Sequence, residues 1–152
     1  MKKVISLIMA LVLCLCLCAC SDNLTEHGSQ FVGKYEHNGD LTEYHSAYGY
    51  DNLVRHVSFT EVLTLNGGGT GTFKATATSS GDYWNVGDVI KEGTVQWTCE
   101  GDYITITFKG TRYSKDYGNN TSSLIDTTTT YEKKAGTLHT ASSGTLIYRK
   151  VG

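Results

Sequence analysis

The chain contains no proline, and past its first twenty residues it contains one cysteine, Cys99. With no second thiol in that stretch, an internal disulfide is excluded, and Cys99 reads as a small buried apolar side chain. Without proline, the turns fall to the 17 glycines. No segment after residue 20 shows an apolar stripe at helical spacing. No run of Lys and Arg exceeds the pair Lys133-Lys134, which argues against nucleic acid and against an electrostatic membrane patch as partners. The histidines, His27, His37, His45, His56 and His139, are dispersed, with no H-x-H or H-E-x-x-H spacing. No metal ligands and no cofactor are therefore expected. There is no G-x-S-x-G elbow, Ser142-Ser143-Gly144 reads as a turn, and nothing selects two of the 15 acids as a catalytic pair. No catalytic residue is assigned, and the chain is not read as an enzyme.

What is present begins at the N-terminus, MKKVISLIMALVLCLCLCAC. Lys2 and Lys3 precede sixteen uncharged residues, Val4 to Ala19, short of the roughly 20 that span a bilayer core as a helix. A basic start, a short apolar run and a small residue at its end describe a secretory signal. Cys14, Cys16, Cys18 and Cys20 alternate, a spacing that does not converge four thiolates on one metal. Leu17-Cys18-Ala19-Cys20 resembles a bacterial lipobox, with small Ala19 before Cys20 and polar Ser21-Asp22-Asn23 after it. The resemblance implies a diacylglycerol thioether on Cys20, cleavage after Ala19, and acylation of the new amine by a chain such as palmitate. Cys14, Cys16 and Cys18 would leave with the signal. At about 0.8 kcal/mol per buried methylene, two or three chains make a durable anchor. Ser21 after the cysteine resembles outer-membrane sorting in Gram-negative bacteria, and Ser-Asp-Asn is loosely similar to the acidic surface-export tethers of Bacteroidetes. The implied address is the bacterial cell envelope, at the outer membrane, on its periplasmic face or at the cell surface.

The organisation expected is a signal peptide over 1–19, a lipidated tether over 20–30, and one domain over 31–152. Loss of residues 1–19 removes Lys2 and Lys3 and no acid, so the net charge moves from −2 to −4. The remaining 133 residues suffice for one domain with its own core. A flexible ten-residue tether reaches roughly 17 Å, which holds the domain near the lipid surface.

The domain reads as all-β, because threonine and its 10 tyrosines favour strands. In EGTVQWTCEGDYITITFKG, a two-residue loop at Glu100-Gly101 sets Trp97 against Ile104 and Val95 against Ile106, with Val95, Trp97, Ile104 and Ile106 on one face. In VSFTEVLTLNGGGTGTFKATAT, a three-residue loop at Gly67-Gly68-Gly69 pairs Leu63 with Phe73 and gives both strands one apolar face. No Gly-Lys-Ser/Thr follows those glycines, so they are not read as a phosphate cradle. Further strands are expected at 32–37, 41–48, 103–113, 124–133 and 145–151, with a short one at Leu138. Turns are expected at Asn38-Gly39, 117–120 and 142–144. A meander of eight to nine antiparallel strands closes most readily as an up-and-down barrel, with a β-sandwich as the alternative.

FVGKYE, at 31–36, resembles the opening G-x-W strand of lipocalin-like barrels, with Tyr35 in place of tryptophan. Together with LTLNGGGTGTF, VQWTCEGDYITITF and the closing LIYRKV, it resembles the small lipocalin-like lipoproteins of Bacteroidetes. In that superfamily an arginine near the last strand packs across the first-strand aromatic, which implies that Arg149 packs on Tyr35 to close one barrel end.

Two functional readings follow. In the first, the barrel holds a small, partly apolar ligand, with Phe73, Val95, Trp97, Ile104 and Ile106 lining or flooring the cavity. The same five also read as a packed core. In the second, loop aromatics meet a glycan or an envelope protein, with Tyr83-Trp84 as the leading pair beside Tyr48, Tyr50, Tyr113 and Tyr117. Trp84 alternatively folds back to plug a barrel mouth. On these readings an internal site depends on Trp97, and a surface site depends on Trp84.

Overall fold

In β3 (Thr70–Ala77) every second residue is buried, so TGTFKATA turns Gly71, Phe73, Ala75 and Ala77 inward and its threonines and lysine outward. A two-residue period of burial recurs in parts of the strands on either side of it. The computed structural model describes residues 28–45, 53–116 and 119–152. The lipobox, Cys20, the tether to His27, and Tyr48, Tyr50 and Tyr117 lie outside the described residues. The remaining strands are β1 (Gly33–His45), β2 (Leu53–Asn66), β4 (Val89–Glu100), β5 (Tyr103–Asp116), β6 (Asn119–Lys134), β7 (Thr137–Thr140) and β8 (Leu146–Val151). Each pairs antiparallel with the next, and β8 pairs with β1, giving a closed eight-stranded up-and-down barrel rather than a sandwich.

The glycine hairpin has the expected register, with Leu63 opposite Phe73 and Gly67-Gly68-Gly69 as its loop. The β4–β5 hairpin differs from expectation by two residues. Glu100 pairs with Tyr103, so the loop is Gly101-Asp102 and Trp97 lies opposite Ile106. Gly101 has φ +58°, and a two-residue hairpin loop with positive φ at its first position favours glycine there; the expected loop would have put Glu100 in that place. The slip is even, so the same side chains stay inside.

Asn38-Gly39 is not a turn. β1 runs through it, and the pair reads as strand because Gly39 lies opposite Phe59, whose ring would stand 2.8 Å from any Cβ at residue 39. Asn38 accepts a hydrogen bond from Thr60 at 2.7 Å on the outer face. Threonine pairs Thr105–Thr130 and Thr107–Thr128 also bridge β5 and β6.

The barrel is packed at one end. Phe31, Tyr35, Leu63, Leu65, Val95, Trp97, Ile104, Ile106, Leu138 and their neighbours form its main core. The chain just before β1 caps this end. Tyr35 donates its hydroxyl to the Phe31 carbonyl at 2.9 Å, Gln30 donates to Gly101 at 2.9 Å, and Lys133 donates to the Gln30 carbonyl at 3.0 Å. Arg149 does not pack on Tyr35. It lies opposite Glu36, one residue out of phase with Tyr35, and alternation sends it to the other face. Lys150, opposite Tyr35 in the register, is the cation over the Tyr35 ring, 5.9 Å from its centroid.

The other end is looser. β7 has four residues and β8 six, and β1 keeps only three register pairs with β8. β6 pairs with β7 only from Tyr131 onward. The mouth-side halves of β1 and β6 therefore have no ladder partner from β7 or β8 on the sides that face those strands.

Candidate ligand-binding site

The inward positions of β2, read from the packed end, are Leu65, Leu63, Glu61, Phe59 and Val57. Glu61 interrupts the apolar series and is 2 % exposed. Register carries its level around the wall: His37 lies opposite Glu61, Glu61 opposite Ala75, Ala75 opposite Lys91, Lys91 opposite Arg112, and Arg112 opposite Ser123. One row of side chains from six successive strands thus lies between the packed core and a second cluster of Val57, Ala77, Trp84 and Ile90 at the mouth, against which Ala75 of the row also packs.

Lys91 donates from Nζ to Oε2 of Glu61 at 2.8 Å. The contact passes over Ala75, whose methyl leaves room for it. A bulge helps to place the lysine: Ala75 pairs with Lys91 but Thr76 pairs with Val89, so Ile90 is the extra residue and turns into the mouth cluster. Oε1 of Glu61 has no hydrogen-bond partner among the described residues. Burial, then the charges of Glu61 and Tyr131 and a hydrogen bond to the Glu61 carboxylate, push the Tyr148 hydroxyl well above the ordinary tyrosine range. Burial also pushes Tyr131 up to about 12, with the Glu61 charge adding to it. The His37 ring stands edge-on to Phe59 and Tyr148, at 5.9 and 5.8 Å.

Two cavities meet at this row. One of about 290 Å³ is lined by Glu61, Phe73, Lys91, Arg112, Thr127 and Thr129, with further β6 residues and Tyr148. The other, of about 500 Å³, is lined chiefly by Leu41, Phe59, Tyr83, Trp84, Ile90 and Tyr113. Lys91 and Arg112 belong to both. The first chamber is mostly polar and the second mostly apolar.

The loop between β3 and β4 forms the lip of the mouth. Asp88 accepts from the Asn85 backbone at 2.8 Å and from Lys115 at 2.5 Å. Those two bonds, the Lys115 bond foremost, hold its carboxyl below the usual range. Gly81 donates to the Trp84 carbonyl at 2.9 Å. The result turns Trp84 inward, 2 % exposed, with Lys115 4.9 Å from its ring centroid.

The six candidate binding residues, the five of the cavity reading and Trp84 of the surface reading, therefore separate. Phe73 lines the polar chamber and Trp84 the apolar one. Val95, Ile104 and Ile106 are packed in the closed-end core and line neither chamber. Trp97 is also at that end, near Phe31 and donating from its indole to the Thr70 carbonyl at 3.0 Å. Both tryptophans take their alternative places, Trp97 in the packed core and Trp84 folded back into the mouth with the loop that carries it. Tyr83 and Tyr113 pack partly buried beside Trp84. Cys99 is half-buried against the main core, and burial pushes its thiol up. Among the described residues no three His, Cys, Asp or Glu side chains gather as a metal site would need.

Sequence reasoning missed Glu61, Lys91 and Arg112, although a signal was present. Glu61 shares parity with Leu63 and Leu65, Lys91 with Val95 and Trp97, and Arg112 with Ile104, Ile106 and Phe108. A charged residue at inward parity is the mark of a polar interior site. No protein-family model, no curated protein and no solved structure matches this chain.

Proposed function

We propose that this chain is a lipid-anchored lipoprotein of the bacterial cell envelope whose lipocalin-like barrel binds a small, partly apolar ligand. The observation that carries the ligand reading is the division of the interior: packed at one end, hollow at the other, with the charged row between. The 500 Å³ mouth chamber lies within the roughly 300–1,000 Å³ of small-molecule sites. Its mixture of aromatic walls and a few convergent polar groups is the usual composition of such sites. The anchor reading rests on Lys2-Lys3, the apolar run and Leu17-Cys18-Ala19-Cys20. Residues 28–31 cap the packed end, so a tether from Cys20 would join the barrel there and leave the mouth pointing away from the membrane.

The alternative, glycan or protein recognition through loop aromatics, loses its leading residue, since Trp84 is buried in the mouth. Native mass spectrometry of protein purified from its own host tests both parts of the proposal. It should report acyl chains on the Cys20 amine and thiol and a co-purifying small molecule. Cys20→Ser should move the protein from the membrane to the soluble fraction. An unlipidated wild-type chain would end the anchor reading, and failure of any apolar fluorophore to bind would end the ligand reading.

A further inference from the structure

We propose that the chamber beside the charged row is a head-group site for an anionic amphiphile that carries a hydrogen-bond donor next to its anion, of which a β-hydroxy carboxylate is the simplest case. The inference rests on the ligand-binding reading above and adds the chemistry of the ligand.

The anion is called for by charge. Lys91 and Arg112 stand directly opposite each other on neighbouring strands, both bordering the two chambers, and like charges so placed repel. Glu61 neutralises Lys91. Arg112 meets no carboxylate among the described residues, and Asp88, across the mouth, is engaged by Lys115. A guanidinium presents a fork of donors that matches a carboxylate in two parallel bonds.

The donor is called for by Glu61. Its carboxylate is 2 % exposed and lines the same chamber as Arg112; Lys91 and the Tyr148 hydroxyl engage it, and Oε1 has no hydrogen-bond partner among the described residues. A buried acceptor left empty is costly, and only an O–H or N–H can fill it. A bare anion would satisfy Arg112 and face Glu61 with repulsion. A head with both groups satisfies the two together. The rest of the ligand then has one apolar place to lie, against Phe59, Trp84 and Ile90 in the adjoining chamber.

The test is calorimetric titration of the purified protein with decanol, decylamine, decanoate, β-hydroxydecanoate and β-methoxydecanoate, alongside an uncharged apolar dye. Decanoate should bind roughly tenfold or more tighter than decanol, as for a charge-assisted bond. The hydroxyl should add a further roughly two- to tenfold, and the methoxy compound, which cannot donate, should gain nothing. Arg112→Gln, at the exposed rim, should abolish the preference for carboxylate, and Arg112→Lys should restore part of it. The double variant Glu61→Leu with Lys91→Met should lose the hydroxyl preference and keep the carboxylate one; the ligand-side comparison stands even if that variant does not fold. Decylamine binding as well as decanoate, a carboxylate preference that survives Arg112→Gln, or equal binding of the hydroxy and methoxy compounds would overturn the proposal. If the dye binds while head groups make no difference, the binder reading survives without this inference. If nothing binds, both fall.

Discussion

Lys91 reaches Oε2 of Glu61 at 2.8 Å over the side chain of Ala75, which stands between them in the register. Two strand spacings separate the backbones, roughly 10 Å. The small residue in the middle strand is what lets the two long side chains meet inside the wall.

That relationship sets the cost of breaking it. Lys91→Met leaves a buried carboxylate without its cation and should destabilise the fold by about 2–4 kcal/mol. The double variant Glu61→Leu with Lys91→Met exchanges the pair for apolar volume and should fall within about 1 kcal/mol of the parent. Urea denaturation of the parent, the two singles and the double gives the coupling directly. A single variant no less stable than the double would show that the pair is not buried as described.

Alkaline pH should unfold the barrel earlier than screening alone would. Burial raises Tyr35 and Tyr131 from 10.0 to about 12, and Tyr148 is also raised. A raised pKa favours the neutral phenol in the folded state, so stability is intact below pH 10. It falls as pH climbs from the unfolded value near 10 through about 12, by on the order of 2–3 kcal/mol per tyrosine. Melting temperature followed across that range should drop steeply. Tyr131→Phe should flatten the drop, and a flat parent profile would contradict the burial of these phenols.

The two tryptophans should report different ends of the barrel. Trp84 lines the mouth chamber, while Trp97 is locked at the packed end with its indole bonded to Thr70. In Trp97→Phe, the remaining Trp84 emission should change as a mouth ligand binds; in Trp84→Phe, the remaining Trp97 emission should stay constant. Trp84→Ala should in addition cost about 3–5 kcal/mol, as for other large buried aromatics. The reverse pattern of emission would return the ligand to the closed end.

The β4–β5 and β2–β3 turns offer a contrast between two glycines. Gly101, at φ +58°, should lose about 1–2 kcal/mol on Gly101→Val, because a branched residue resists that conformation. Gly67 has open space around its Cβ position and no positive φ, so Gly67→Ser should change the denaturation midpoint little. Equal losses at both sites would rule out the turn geometry described.

Legibility varied with how local each feature was. The Leu63–Phe73 register followed from one requirement, that both strands of a hairpin share an apolar face, and loop length supplied the only solution. The same requirement could not separate Glu100-Gly101 from Gly101-Asp102, because an even slip preserves both faces; backbone φ at Gly101 made the choice. Asn38-Gly39 has the composition of a turn, yet the Phe59 ring across the ladder needs the space a side chain would take. Arg149 was one position out of phase, and Lys150 stands where the resemblance had put it.

Alternation, turn chemistry and the shortage of helical periodicity were determined by the sequence alone, and with them the all-β barrel and the identity of nearly every inward residue. Those properties depend on neighbours one to four positions away along the chain. The tertiary structure decided which inward residues meet: Glu61 with Lys91 over Ala75, Arg112 at the joint of two chambers, Trp84 folded into the mouth, and Trp97 sealed at the far end. The reason is that these contacts join strands tens of residues apart, and their partners are set by the accumulated register of the barrel and by the shortness of β7 and β8.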